Sequence, residues 1–294
     1  MSLRSSLIVS LVSVGVASCG GQSLSSPAAP SAAAEPVAAA PRTEPQGESA
    51  APKAPPASSY TVSDVAIVPA RTSDAPRKMP KPWIETPGFE QVLGKDWVAA
   101  YKVILKVPGW EAAPSGSFIQ FVLDGRPATP KPSFQGGIKL TDLAGDDLGE
   151  GEHVLAAYVC RPNHESIKGA DGISVHRFWI GKKTPGEYKS TAPMLVLGAP
   201  FGSYAGQQAD EILIDWYVLN AVVGEHDSAV RMTLTGPGLP AEGTERFTRE
   251  WRPYTLVSPH NGDYSLKVEL LDKEGQVSSG GSITRTFSVS GRDS

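Results

Sequence analysis

Cysteine is nearly absent from this chain: Cys19 and Cys160 are the two in 294 residues, so no disulfide framework can hold it together. Positive charge is not in surplus either. The 27 Lys+Arg stand against 31 Asp+Glu, which excludes the basic stripe that nucleic acid calls for. Past the first twenty residues no apolar run is long enough to cross a membrane, and no stretch keeps a sustained helical period. Catalytic signatures are missing as well. There is no Gly-x-Ser-x-Gly elbow, and His164-Glu165 lacks the second His of a zinc-protease helix. Gly236-Pro-Gly238-Leu-Pro-Ala241 matches a dinucleotide fingerprint in form, but Pro237 and Pro240 exclude the helix that would receive a pyrophosphate. No cofactor, no metal site and no enzyme are expected.

What is present begins at the amino end. Arg4 precedes the apolar run Leu7–Ala17, which is too short to span a bilayer and reads as a cleaved export signal over residues 1–18. Val16-Ala17-Ser18-Cys19 resembles the bacterial lipobox, and that resemblance implies lipid attachment at Cys19 after cleavage. It also implies a place in the bacterial cell envelope, held to a membrane by the lipid; Gly20 after the Cys resembles lipoproteins sent to the outer membrane. With Cys19 acylated, Cys160 has no partner inside the chain. It is either a small apolar residue packed on a strand or a reactive thiol.

Residues 19–59 are the lipidated Cys and a tether. Over 22–59, 20 of 38 residues are Ala or Pro and five are charged, so the segment cannot bury a core and stays extended. Residues 60–79, with Tyr60–Val68, read as an extension, either the end of the tether or a strand added to the first domain.

From Lys81 onward short alternating runs, Val98–Val107 and Ile138–Leu143 among them, read as strands separated by Gly, Pro, Asn and Asp. Two sets of runs superimpose at an offset of 111 residues. Tyr101, Val103, Leu105 and Val107 fall on Ile212, Ile214, Trp216 and Val218. Ile119, Phe121 and Leu123 fall on Val230, Met232 and Leu234. His153, Leu155, Ala157 and Val159 fall on Tyr264, Leu266, Val268 and Leu270, and Pro82 meets Pro193. Matching inward positions in register indicate a tandem duplication. The fold class is therefore all-β: two tandem Ig-like or fibronectin-like Greek-key β-sandwiches, over 80–185 and 190–291. Asn261-Gly262-Asp263-Tyr264-Ser265-Leu266 with Asp272-Lys273-Glu274-Gly275 resembles the penultimate hairpin of bacterial Ig-like domains, where the Tyr anchors a corner. Gly151-Glu152-His153 is its degraded copy, with His in place of Tyr. The whole resembles two-domain bacterial lipoproteins. Such folds host many roles, so activity does not follow from them.

Divergence between the copies concentrates in loops. Trp110, Arg161, His164, Glu165 and Lys168 would share one end of the first sandwich. They form either a rim for a polar ligand, such as a glycan or peptide terminus, or a self-satisfied loop. In the second case Glu165 pairs with Arg161 or Lys168 and Trp110 caps the core edge. Glu225-His226-Asp227 reads as a solvated turn rather than a metal site. Asp142, Asp146, Asp147, Glu150 and Glu152 lack the alternate spacing of a calcium loop. Trp216 belongs to the core, Trp179 occupies a strand end and is expected to be buried, and Trp83, Trp97 and Trp251 are expected to plug sandwich ends or a contact between domains. The function expected is non-catalytic binding or scaffolding toward an envelope protein or glycan. The alternatives are an enzyme or enzyme accessory using the Arg161–Gly172 loop, and a mechanical spacer without ligand.

Overall fold

The computed structural model describes residues 64–110, 116–131, 136–145, 148–169 and 171–291. The export signal, Cys19, the tether, Asp146 and Asp147 lie outside them. Their strands run in order: β1 (Ala66–Pro69), β2 (Trp83–Thr86), β3 (Gln91–Leu93), β4 (Lys102–Lys106), β5 (Phe118–Leu123), β6 (Arg126–Pro127), β7 (Ile138–Lys139), β8 (Gly151–Cys160) and β9 (Ile173–Ile180). The second series is β10 (Met194–Ala199), β11 (Gly202–Ala205), β12 (Glu211–Leu219), β13 (Ala229–Thr235), β14 (Thr244–Thr248), β15 (Tyr254–Val257), β16 (Gly262–Leu271) and β17 (Val277–Ser290).

The two series build one topology twice. In the first repeat sheet β2-β4-β7 stands with sheet β3-β9-β8-β5-β6; in the second, β10-β12-β15 stands with β11-β17-β16-β13-β14. In each repeat the opening strand crosses from one sheet to the other at a cis-proline, Pro87 or Pro200. The crossing strand then runs parallel to the last one, β3 on β9 and β11 on β17. This is the all-β, Ig-like sandwich pair the alternation implied. Each core is lined by alternate residues: Val103, Leu105, Ile119, Phe121, Leu155 and Ala157 in the first, Ile214, Trp216, Val230, Met232, Leu266 and Val268 in the second.

Several expectations need correcting. Ile138–Leu143 is not one strand: β7 is two residues long and Thr141–Ala144 form a helical turn. Lys95–Ala100 form a 3-10 turn, so the run beginning at Val98 becomes strand only at Lys102. Residues 66–69 do form an added strand, but β1 pairs antiparallel with β15 of the second repeat, not with the first. Trp83 and Trp97 plug nothing; they are 56% and 71% exposed.

The penultimate hairpin behaves as its resemblance implied. Tyr264 Oη donates to the Pro237 carbonyl at 2.9 Å and accepts from the His260 amide at 2.7 Å. Its ring lies against Gly236, where a Cβ would come within 2.3 Å of it at φ +153°, so that turn requires glycine. His153 does the same work in the first repeat. Nδ1 meets Asp124 Oδ2 at 2.7 Å and Nε2 meets the Gly149 carbonyl at 3.0 Å. Both corner rings stack on the facing strand, His153 on Phe178 and Tyr264 on Phe287, each with centroids 5.4 Å apart.

Candidate functional site

The strands facing the junction are apolar on both sides. On β8, Ala156, Tyr158 and Cys160 alternate with the core residues Leu155, Ala157 and Val159, and every one of them is buried. A strand apolar on both faces has both faces covered. The cover is the second repeat: Val122, Ala156, Tyr158 and Cys160 pack with Val196 and Tyr217 in a third apolar cluster, which joins the repeats. Burying side chains of this size contributes about 1.5–3 kcal/mol each. The approach is close, since a Cβ on Gly198 would fall 1.8 Å from Tyr158 Oη. Cys160 sits in this cluster as a free buried thiol, and burial pushes its pKa up to about 12. The packed, apolar reading of Cys160 is therefore the right one.

The Arg161–Gly172 loop carries most of the expected site residues, and it turns them inward. Lys168 Nζ donates to Asp215 Oδ1 at 2.6 Å, to the Trp216 carbonyl at 2.7 Å and to Ser166 Oγ at 2.9 Å. Asp215, 1% exposed, also accepts the Ser166 amide at 3.0 Å. Tyr217 Oη donates to the Ile167 carbonyl. Lys168 is thus a latch onto the second repeat rather than a rim cation. Glu165, 4% exposed, receives Ser73 Oγ at 3.2 Å and lies 3.6 Å from Arg161 Nε. Arg161 donates from Nη2 to the Asp74 carbonyl at 2.6 Å, so residues 73–74 of the extension cover these side chains. His164, at φ +66°, stacks on Phe118 with centroids 5.4 Å apart, and burial lowers its pKa. Trp110 is half-buried and packs against the first core, with its Nε1 out of solvent. The loop therefore satisfies itself and its neighbour, and His164 and Glu165 do not converge as an acid–base pair.

Other contacts complete the junction. Arg285 donates from Nη1 to the Leu197 carbonyl at 2.9 Å and from Nη2 to the Gly125 carbonyl of the first repeat; burial brings its pKa down to about 10. The linker between the repeats is pinned at both ends. Trp179 Nε1 donates to the Thr184 carbonyl at 2.9 Å and Arg177 Nη1 to the Tyr188 carbonyl at 2.9 Å. Asn220 Nδ2 reaches the Ser190 and Ala192 carbonyls, each at 2.8 Å. Trp251 packs against the apolar cluster that joins the repeats and meets Tyr217 edge-on within it, so that tryptophan does serve the contact between repeats.

Among the described residues two larger clefts flank the junction. One, of about 410 Å³, is mainly apolar and runs between Val122 and Ala156 on one side and Met194, Val196 and Ile283 on the other. The second, of about 480 Å³, is a groove floored by outward side chains of β1, β15 and β12, with Asn163 and Glu165 of the first repeat in its wall. Sequence reasoning missed both, because they exist only once the repeats dock. Glu225, His226 and Asp227 are exposed on their turn. Glu150 pairs with Lys95, Glu152 lies 3.5 Å from Arg177 Nη1, and no three metal-ligating side chains converge among the described residues.

No protein-family model and no curated protein matches this chain. Among solved structures it is similar to the fibronectin(III)-like modules of Clostridium thermocellum CbhA, at 13% identity and a TM-score of 0.25, over 71% of this chain and 94% of that one. It is also similar to Bacteroides ovatus SGBP-B in complex with a mixed-linkage heptasaccharide, at 13% identity and a TM-score of 0.22, over 76% and 72%. A third likeness is to Parabacteroides merdae β-glucuronidase, at 10% identity and a TM-score of 0.21, over 72% of this chain and a quarter of the enzyme's (25%). At such scores the strand order, not the neighbours, carries the fold assignment.

Proposed function

We propose that this chain is a non-catalytic binding or scaffolding lipoprotein of the bacterial envelope, anchored by lipid on Cys19 and directed at an envelope protein or glycan. One observation carries the reading: the apolar cluster and the Lys168–Asp215 latch fix the two repeats as one body, with an open polar groove at their junction. A fixed groove spares a ligand the cost of ordering two loosely joined domains. The chemistry available there is recognition. Glu165 is held by Arg161 and Ser73, and among the described residues these contacts supply no second group for proton transfer.

A photoreactive residue at Thr255, on the groove floor, tests the reading in intact cells. An adduct with an envelope protein or glycan is expected there and not from Thr286, on the opposite sheet of the same repeat. Absence of any adduct at Thr255 would count against binding in the groove. Anchoring is tested separately by globomycin, which should make an uncleaved precursor accumulate.

A further inference from the structure

Resting on the binding reading above, we infer that the groove takes a short extended peptide segment with free ends. Its carboxylate would sit at Arg71 and its ammonium at Glu211. The floor is aliphatic, with Val68, Leu213 and Val257 projecting from three neighbouring strands around Thr255. Among the described residues no aromatic side chain lines it, and these residues offer no platform for a sugar ring. Side-chain pockets at alternate positions along strands suit an extended chain instead.

Charge is placed at the two ends. Glu211 stands level with Val257 and Ala66, and Arg71 lies five residues along the extension from Ala66. That is roughly 16 Å at the rise of a strand, the length of a peptide of about five residues. Both side chains are exposed, and neither makes an ion pair among the described residues. Arg71 matches a carboxylate with a planar fork of donors, and Glu211 accepts from an ammonium. In the groove wall Asn163 accepts the Glu165 amide on its Oδ1 at 3.2 Å, which leaves its side-chain N–H groups to meet a peptide carbonyl.

The test is calorimetric titration of the full chain with the pentapeptide Ala-Val-Ala-Val-Ala, free and blocked. Binding is expected for the free peptide. N-acetylation and C-amidation should each weaken it about tenfold. Arg71→Gln should erase the effect of amidation and Glu211→Gln the effect of acetylation, and both are surface changes that leave the thermal transition in place. Thr255→Trp, which fills the groove, should abolish binding altogether. Equal binding of free and blocked peptides would overturn the inference. So would binding of a linear oligosaccharide, lost in Thr255→Trp, with no peptide bound. In that last case the Thr255 adduct persists and the broader reading stands; loss of the adduct as well would remove both.

Discussion

At the 111-residue offset, Val122, Ala156 and Tyr158 of the first repeat meet Thr233, Lys267 and Glu269 of the second. Cross-strand pairing confirms the equivalence: Val122 faces Ala156 and Gln120 faces Tyr158, as Thr233 faces Lys267 and Arg231 faces Glu269. One sheet face is thus apolar and covered by a repeat in one copy, and polar in the other, with Lys267 exposed and Glu269 shielded beside its cations. On the open copy Glu269 is held by Arg231 at 2.8 Å and Lys267 at 2.6 Å. The receiving face diverges in the same way. Val196 pairs with Tyr217 under the first repeat, while the equivalent pair, Trp83 with Lys106, faces solvent. The duplication therefore kept two cores and wrote one interface, with charge on the faces that would otherwise extend the stack. Trp83 is exposed because it stands where the second repeat has its docking residue.

The comparison can be broken most severely by moving one residue across it. Tyr158→Glu places the open face's residue in the covered one, leaving a charge without a partner in the junction. It should cost about 4 kcal/mol in denaturant unfolding and split one thermal transition into two. Removing the latch should cost somewhat less. Lys168→Met strands Asp215 and should destabilise by about 3 kcal/mol, part of which Lys168→Met with Asp215→Leu restores.

The two corners differ in pH response. Burial of the His153 ring opposes its charge, but the Asp124 carboxylate outweighs it and, with the Gly149 carbonyl and Glu152, raises the pKa above its ordinary value. A raised folded pKa contributes stability fully below the unfolded value near 6.5, and that contribution is lost as pH rises through the folded one. Melting temperature should fall across that interval in the parent and lose this slope in His153→Tyr, which copies the Tyr264 corner. The reverse transplant has the smallest effect on folding. Thr233→Val with Lys267→Ala, which leaves the buried Glu269 paired to Arg231, should change unfolding by about 1 kcal/mol or less. Sedimentation should nonetheless show self-association, through an open face made to resemble the covered one.

Much of this was legible in the residues. The shared offset located β4, β5 and β8 on β12, β13 and β16, because inward positions tolerate no slip. It fails elsewhere for local reasons. In the opening strands Ile84 corresponds to Leu197, and in the short β7 Ile138 corresponds to Tyr254, so insertions shift the offset to 113 and 116. Strands as brief as β3 and β6 leave no periodicity to read. The junction has its own signal in the residues: Leu155-Ala-Ala-Tyr-Val-Cys160 is apolar without alternation, the mark of a strand covered twice. For the loop, residue types were a poor guide. Lys168 and Glu165 look like rim charges until Asp215, 47 residues on from Lys168, and Ser73, 92 residues before Glu165, are brought beside them.

The account stands on the two repeats moving as one body. Spin labels at Lys139, in the outer sheet of the first repeat, and Thr284, in the open sheet of the second, measure this by pulsed dipolar spectroscopy in a Cys19→Ser background, with Cys160 buried and unlabelled. One narrow distance distribution, unchanged by salt, is the result this structure requires. A broad or multimodal distribution would contradict it.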